Sequence, residues 1–118
     1  MSEQVSWVLG VAVRPDQLEP FRTLMGEMVA STRAEPGALS YEWFVAEDGS
    51  VVHLFERYAD SSAAVAHLQT FGERFAGRFL DAVTPTRLTV MGSPDDKAKA
   101  ALDGFGATYL RPFGGFTR

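Results

Sequence analysis

A chain of 118 residues with 46% hydrophobic and 22% charged side chains is long enough for one domain with its own core, which excludes disorder over most of its length. Eleven basic against fifteen acidic residues give a formal charge of −4, which leaves no electrostatic footprint for nucleic acid and no attraction to an acidic membrane surface. Zero cysteines exclude disulfides, thiol nucleophiles and thiolate metal sites, and with two separated histidines no metal is expected.

No apolar run approaches a membrane span, and Met1-Ser2-Glu3-Gln4 lacks the basic start of a signal peptide, so a soluble cytoplasmic protein is expected. Trp7 to Val13 is apolar on both alternating faces, the pattern of a strand covered on two sides. Arg14-Pro15-Asp16 breaks it. From about Asp16 to Ala34, Leu18, Phe21, Leu24, Met25, Met28 and Val29 recur at spacings of three and four, which predicts a helix. Asp16 with Glu19 reads as a capping box, Pro20 belongs in the first turn, and Gly26 reads as a point of close packing. Glu35-Pro36-Gly37 ends the helix.

Two runs follow, Leu39 to Val45 and Val51 to Tyr58, joined through Asp48-Gly49, whose glycine supplies the positive backbone angle of a tight reversal. Both again carry large apolar groups on each face. Asp60 is the N-cap of a helix from Ser61 to about Thr70; Gly72 interrupts it, and a second stretch reaches about Val83. Phe71, Phe75 and Phe79 stand at i, i+4 and i+8 on this stretch. Thr84-Pro85 stops the helix, and Thr86 to Met91 is a last strand.

The order strand, helix, strand, strand, helix, strand over residues 5–92 predicts an α+β, ferredoxin-like βαββαβ domain, an antiparallel sheet with its helices on one face. The opposite face has no cover in one chain. A second copy is the simplest cover, so a homodimer through the sheet faces, a dimeric α+β barrel, is expected. Residues 93–118 form a C-terminal extension beyond the domain of residues 1–92. Ser93-Pro94-Asp95-Asp96 starts a helix that runs to about Leu102 and stops at Gly104. The aromatic arm from Phe105 to Phe116 is then expected to pack on its own domain or on the partner subunit.

Three passages carry a resemblance: Glu35-Pro36-Gly37-Ala38-Leu39-Ser40-Tyr41, Leu54-Phe55-Glu56-Arg57-Tyr58-Ala59-Asp60, and Ala66-His67-Leu68-Gln69-Thr70. Over about residues 5–92 the chain resembles the antibiotic biosynthesis monooxygenase superfamily of small dimeric α+β-barrel proteins. In that family an acidic residue and then an aromatic stand near the end of the third strand, with a His nine residues after the aromatic; the matching positions are Glu56, Tyr58 and His67. The resemblance implies a fold before it implies a reaction. The family includes oxygenases that act without metal or flavin on electron-rich rings, quinol monooxygenases, haem-degrading enzymes and an isomerase branch. The haem-degrading branch needs an Asn on the first strand and a Trp on the second helix; this first strand has no Asn, and His67 occupies the helix position. The anthrone-oxygenase branch carries polar or aromatic groups where this chain has Leu54, Tyr58 and Ala64, although its Arg has a counterpart in Arg78. The sequence is most similar to the quinol-monooxygenase-like branch.

An imidazole titrating near neutrality can take a proton from a phenol or quinol and so raise the ring's reactivity toward oxygen, which makes His67 the candidate catalytic base. Its expected pocket is lined by Trp43, Phe55, Phe71 and Phe75. The plain alternative is a His that packs at the helix end. Glu56 on a covered face is either a substrate-binding group or a paired structural ion, with Arg87 as its mate. Arg78 is either an anchor for a phenolate or a solvated side chain. His53 reads as an ordinary strand residue. The Phe stripe is core, a wall for a flat ligand, or both. No phosphate loop, dinucleotide fingerprint or nucleophile elbow is present, so no cofactor is expected. The resulting reading is a cofactor-independent monooxygenase acting with O2 on a small aromatic, quinol or polyketide-like substrate. Its alternatives are an isomerase or tautomerase of the same fold and a non-catalytic ligand-binding domain.

Overall fold

The computed structural model describes residues 3–118. Nine elements follow one another: β1 (Val5–Val13), α1 (Leu18–Arg33), β2 (Ala38–Val45), β3 (Val51–Tyr58), α2 (Ser61–Arg74), α3 (Ala76–Ala82), β4 (Val83–Gly92), α4 (Asp96–Asp103) and β5 (Thr108–Leu110). The sheet order is β2-β3-β1-β4-β5. The first four strands pair antiparallel, and β5 joins β4 in parallel, so the sheet is mixed rather than wholly antiparallel. This is the ferredoxin-like α+β fold with a fifth strand added at one edge.

Alternation along the strands separates the two sheet faces. Cross-strand register lines up Tyr41, Glu56, Trp7 and Val90 in one inward row, and Trp43, Leu54, Leu9 and Leu88 in the next. The helices cover this face. Val11, Phe21, Leu24, Met28, Phe79 and their neighbours form one core cluster beneath α1 and α3. Val5, Trp7, Tyr58, Leu88, Val90 and Leu102 form a second beneath α2 and α4. Leu9 packs against both clusters and marks the seam between them. Among the described residues no helix lies above the outward row Glu42, Phe55, Val8 and Thr89.

Several local features depart from the sequence expectation. α1 begins at Leu18 with Gln17 at the N-cap and no side-chain cap, because Asp16 adopts a left-handed φ of 64° in the preceding turn. Pro20 does lie in the first turn. Gly26 has open space where a Cβ would stand; the close approach is at Gly37, where a Cβ would overlap that of Ala63 on α2. α2 runs through Gly72, and the helix breaks at Phe75. β4 takes in Thr84 and Pro85, with a register shift opposite Gly10 and Val11, and the Thr86 hydroxyl donates to the Gly10 carbonyl at 3.0 Å across the irregularity.

The hairpin turn holds Gly49 at φ 75°, with the Asp48 carboxylate accepting from the Ser50 amide and hydroxyl at 3.0 and 2.6 Å. In the extension, the Asp95 side chain caps α4 by accepting from the Ala98 N–H at 2.9 Å, and Ala98 and Leu102 are buried. β5 is tied back to α4 through Tyr109, whose hydroxyl donates to the Asp103 carboxylate. The arm therefore packs on its own domain as far as β5. From Arg111 onward every residue is exposed, with Phe113 at 106% and Phe116 at 81%. No helix among the described residues is long and apolar enough to cross a membrane.

Candidate active site

Two chain corners bring the site together. Asp60 caps α2 by accepting from the Ala63 N–H at 2.8 Å, and this fixes the helix phase so that Ala64 and His67 face the sheet. At the α1–β2 corner the Glu35 N–H donates to Thr32 and the Glu35 carbonyl accepts from Ala38, at 2.9 and 3.1 Å. The Gly37 carbonyl then accepts from the Ala59 N–H at 2.8 Å, which ties this corner to the start of α2. The absent side chain at Gly37 lets the corner approach Ala63 closely.

The result is a chain of four polar side chains under the helix layer. His67 Nδ1 lies 3.1 and 3.2 Å from the two carboxylate oxygens of Glu35. His67 Nε2 lies 3.2 Å from Glu56 Oε1, and the Tyr58 hydroxyl donates to that same Oε1 at 2.6 Å. Among the described residues no hydrogen bond reaches Glu56 Oε2. His67 is 5% exposed and Glu56 4%. Burial works against the imidazolium, but the Glu35 and Glu56 carboxylates outweigh it and raise the His67 pKa from 6.5 to about 9. The ring is therefore charged at neutral pH and donates from both nitrogens. Burial first, and the Glu56 charge second, push the Tyr58 and Tyr41 hydroxyls well above their ordinary range, so both stay protonated. The Trp7, Tyr41 and Tyr58 rings surround the imidazole at centroid distances of 6.4, 5.4 and 4.9 Å.

Beside this chain, at the seam of the two cores, lies a pocket of about 540 Å³ including its open mouth. Leu9, Tyr41, Leu68, Phe71 and Leu88 are among its walls, and the extension contributes Leu102 and Phe105. Among the described residues Glu56 and His67 are its only charged lining groups. Among the described residues no cluster of His, Asp or Glu is disposed to hold a metal ion. Glu35 and Glu56 instead approach opposite nitrogens of one ring, the geometry of an ion-paired imidazolium.

The structure brings His67, Glu56 and Phe71 of the expected set to one pocket. Glu56 pairs with His67 and Tyr58, not with Arg87. The other four expected residues lie elsewhere. Trp43 packs between Phe21 and Tyr41 without lining this pocket, and its buried indole N–H lacks an acceptor among the described residues. Phe55 is on the outward face, with the Arg57 guanidinium 5.5 Å from its ring centre. Phe75 is buried in the α1–α3 core. Arg78 is exposed and forms a two-pronged pair with Glu27, both contacts at 3.0 Å. In the sequence Glu35 carries no marked role, and Tyr58 none beyond a family position. The Glu-Pro-Gly passage was the available signal for Glu35, but no spacing rule joins it to a helix 32 residues away.

Residues 7–85 match the model of the antibiotic biosynthesis monooxygenase family, and the chain belongs to that family. Over 67 residues it is 36% identical to Rv0793 of Mycobacterium tuberculosis, whose monooxygenase assignment is itself provisional; the match spans 57% of this chain and 66% of that relative. The solved structure of Rv0793 aligns with a TM-score of 0.67 at 28% identity, covering 79% of this chain and 97% of that one. MupZ from Pseudomonas fluorescens aligns over 100% of this chain and 91% of its own, with a TM-score of 0.87 at 22% identity. Its fold therefore has a counterpart of the C-terminal extension. SnoaB, a cofactor-independent oxygenase from Streptomyces nogalater, aligns with a TM-score of 0.68 at 14% identity, over 80% of this chain and 96% of that one. At these identities MupZ and SnoaB speak to the fold alone.

Proposed function

We propose that this protein is a cofactor-independent monooxygenase that binds a small, flat, electron-rich phenol or quinol in the pocket and oxidises it with O2. The observation that supports this reading is a buried carboxylate, Glu56, held beside a charged imidazole at the wall of an otherwise apolar pocket. Both ring nitrogens of His67 face carboxylates, so the base moves from His67 to Glu56, whose Oε2 is free to take the substrate's hydroxyl proton. The His67 cation favours the negative charge that then develops on the ring. The electron-rich anion passes an electron to O2, the two radicals combine as a peroxide, and Glu56 returns its proton to the peroxide oxygen. Loss of water leaves the quinone. One phenol and one O2 give one quinone and one water, with no outside reductant and no net proton released. Two copies joined through the outward sheet faces complete the proposed assembly.

An oxygen electrode with a panel of one-ring and two-ring quinols tests this reading. O2 uptake is expected to equal substrate loss, and Glu56→Gln is expected to lower kcat by about 10²-fold or more with KM little changed. Full turnover by Glu56→Gln would remove the base assignment. Substrate loss without O2 uptake would favour the isomerase reading, in which the same carboxylate moves a proton within a carbonyl compound.

A further inference from the structure

We propose that Glu35 is a positioning residue of this site: it fixes the His67 ring through Nδ1, so that Nε2 engages Glu56 Oε1 and leaves Oε2 as the oxygen presented to the pocket. The inference rests on Glu56 as the base and adds the group that governs it from outside the pocket. Both Glu35 oxygens straddle Nδ1, at 3.1 and 3.2 Å, so the ring cannot rotate without breaking both contacts. The Glu35 backbone is itself held by hydrogen bonds on either side, and Gly37 ties the corner to the start of α2. On the other side of the ring, Nε2 and the Tyr58 hydroxyl converge on one oxygen of Glu56. A proton acceptor is thus singled out at the end of a fixed chain, Glu35–His67–Glu56.

Three properties set Glu35 apart from the other members. It does not line the substrate pocket. It opens instead onto a separate surface cleft, walled by Pro36, Gly37, Asp60, Ala63 and Ala66, and its side chain is 21% exposed. It is also the second of two negative charges on one cation. The titratable groups facing His67 are Glu35 from the α1–β2 corner, Tyr41 from β2, and Glu56 and Tyr58 from β3; both tyrosines stay neutral, so the two carboxylates alone hold the ring charged. Without Glu35 the buried cation keeps one partner, burial regains weight, and the ring loses its proton at lower pH. The proposed reaction releases no net proton, so Glu35 needs no role as an exit route. Its role is orientation and charge, as for the carboxylate of a hydrolase triad.

The test compares wild type with Glu35→Gln, Glu35→Asp and Glu35→Ala by two readouts: O2 uptake against pH, and the nitrogen resonances of His67 in the substrate-free protein. Glu35→Gln is expected to lower the His67 titration midpoint by one pH unit or more, to shift the alkaline limb of kcat by the same amount, and to lower kcat by about 10- to 100-fold with KM nearly constant. Glu35→Asp recovers most of the loss. Formate entering the emptied cleft partly restores turnover to Glu35→Ala. An unshifted His67 titration in Glu35→Gln overturns the assignment whatever the turnover. A shifted titration with undiminished turnover overturns the positioning role, whereas Glu56 as the base falls only if Glu56→Gln keeps full turnover, which separates the two failures.

Discussion

His67 carries its proton between two carboxylates, and this ties the stability of the fold to pH through one residue. Its pKa is raised in the folded chain, from 6.5 to about 9, so the proton is held more tightly folded than unfolded. The stabilisation is complete below about pH 6.5 and is lost as pH rises through 9. It amounts to about 3 kcal/mol. Urea denaturation at pH 6 and pH 10 is expected to give a lower midpoint at pH 10, and His67→Gln is expected to lose this dependence while destabilising the protein at neutral pH, since two buried or half-buried carboxylates lose their cation. A wild-type midpoint unchanged between these pH values would contradict the ion-paired ring. Glu56 stands out in the sequence because a carboxylate on a covered face needs a partner, and His67 because an imidazole titrates near neutrality and falls on a family position. That they are partners of each other was not legible, since the contact depends on how the β3–α2 corner sets the phase of the helix. Glu35 was less legible still, because its place in a Glu-Pro-Gly corner reads first as a helix stop.

At the scale of elements, the break at Phe75 decides which aromatics reach the pocket. A single helix would have kept Phe71, Phe75 and Phe79 on one stripe. All three rings belong to or pack against the α1–α3 core, but Phe75 stays off the pocket while Phe71 and Phe79 line it and meet edge to face with centroids 5.2 Å apart. The same change of phase leaves Arg78 outside with Glu27. The sequence pattern carried the periods of both helices but placed the interruption at Gly72, and from there the register of α3 was out of reach. The order of the first four strands and the β2–β3 hairpin were legible for a firmer reason: apolar runs bounded by turn residues, with Asp48-Gly49 forcing a tight reversal. The extension offered no such constraint, and its role as a pocket wall emerged only from the structure. Phe105 sits between Gly104 and Gly106, 45% exposed, with its ring 6.1 Å from Phe71 at the pocket mouth. Phe105→Ala is expected to cost only about 1 kcal/mol while raising kcat/KM for two-ring over one-ring quinols by about tenfold. Unchanged selectivity across the panel would mean that the ring does not limit entry.

For the molecule as a whole, the uncovered sheet face is the main unfinished surface. Phe55 and Val8 sit side by side in its central row, and Phe44 stands exposed one row away. Light scattering at micromolar concentration is expected to give twice the chain mass, and Phe55→Glu, a charge placed away from the pocket, is expected to give a monomer. A wild-type monomer would contradict pairing through this face. The two sheet edges differ in another way. β5 covers part of the outer edge of β4 with only three residues, and Arg111 and Pro112 follow at once, a short strand ending in a charge and a residue without an N–H. That end of the edge is thereby blunted against further strand addition. β2, eight residues long with Phe44 and Val45 exposed, is left as the edge through which misassembly into aggregates would begin.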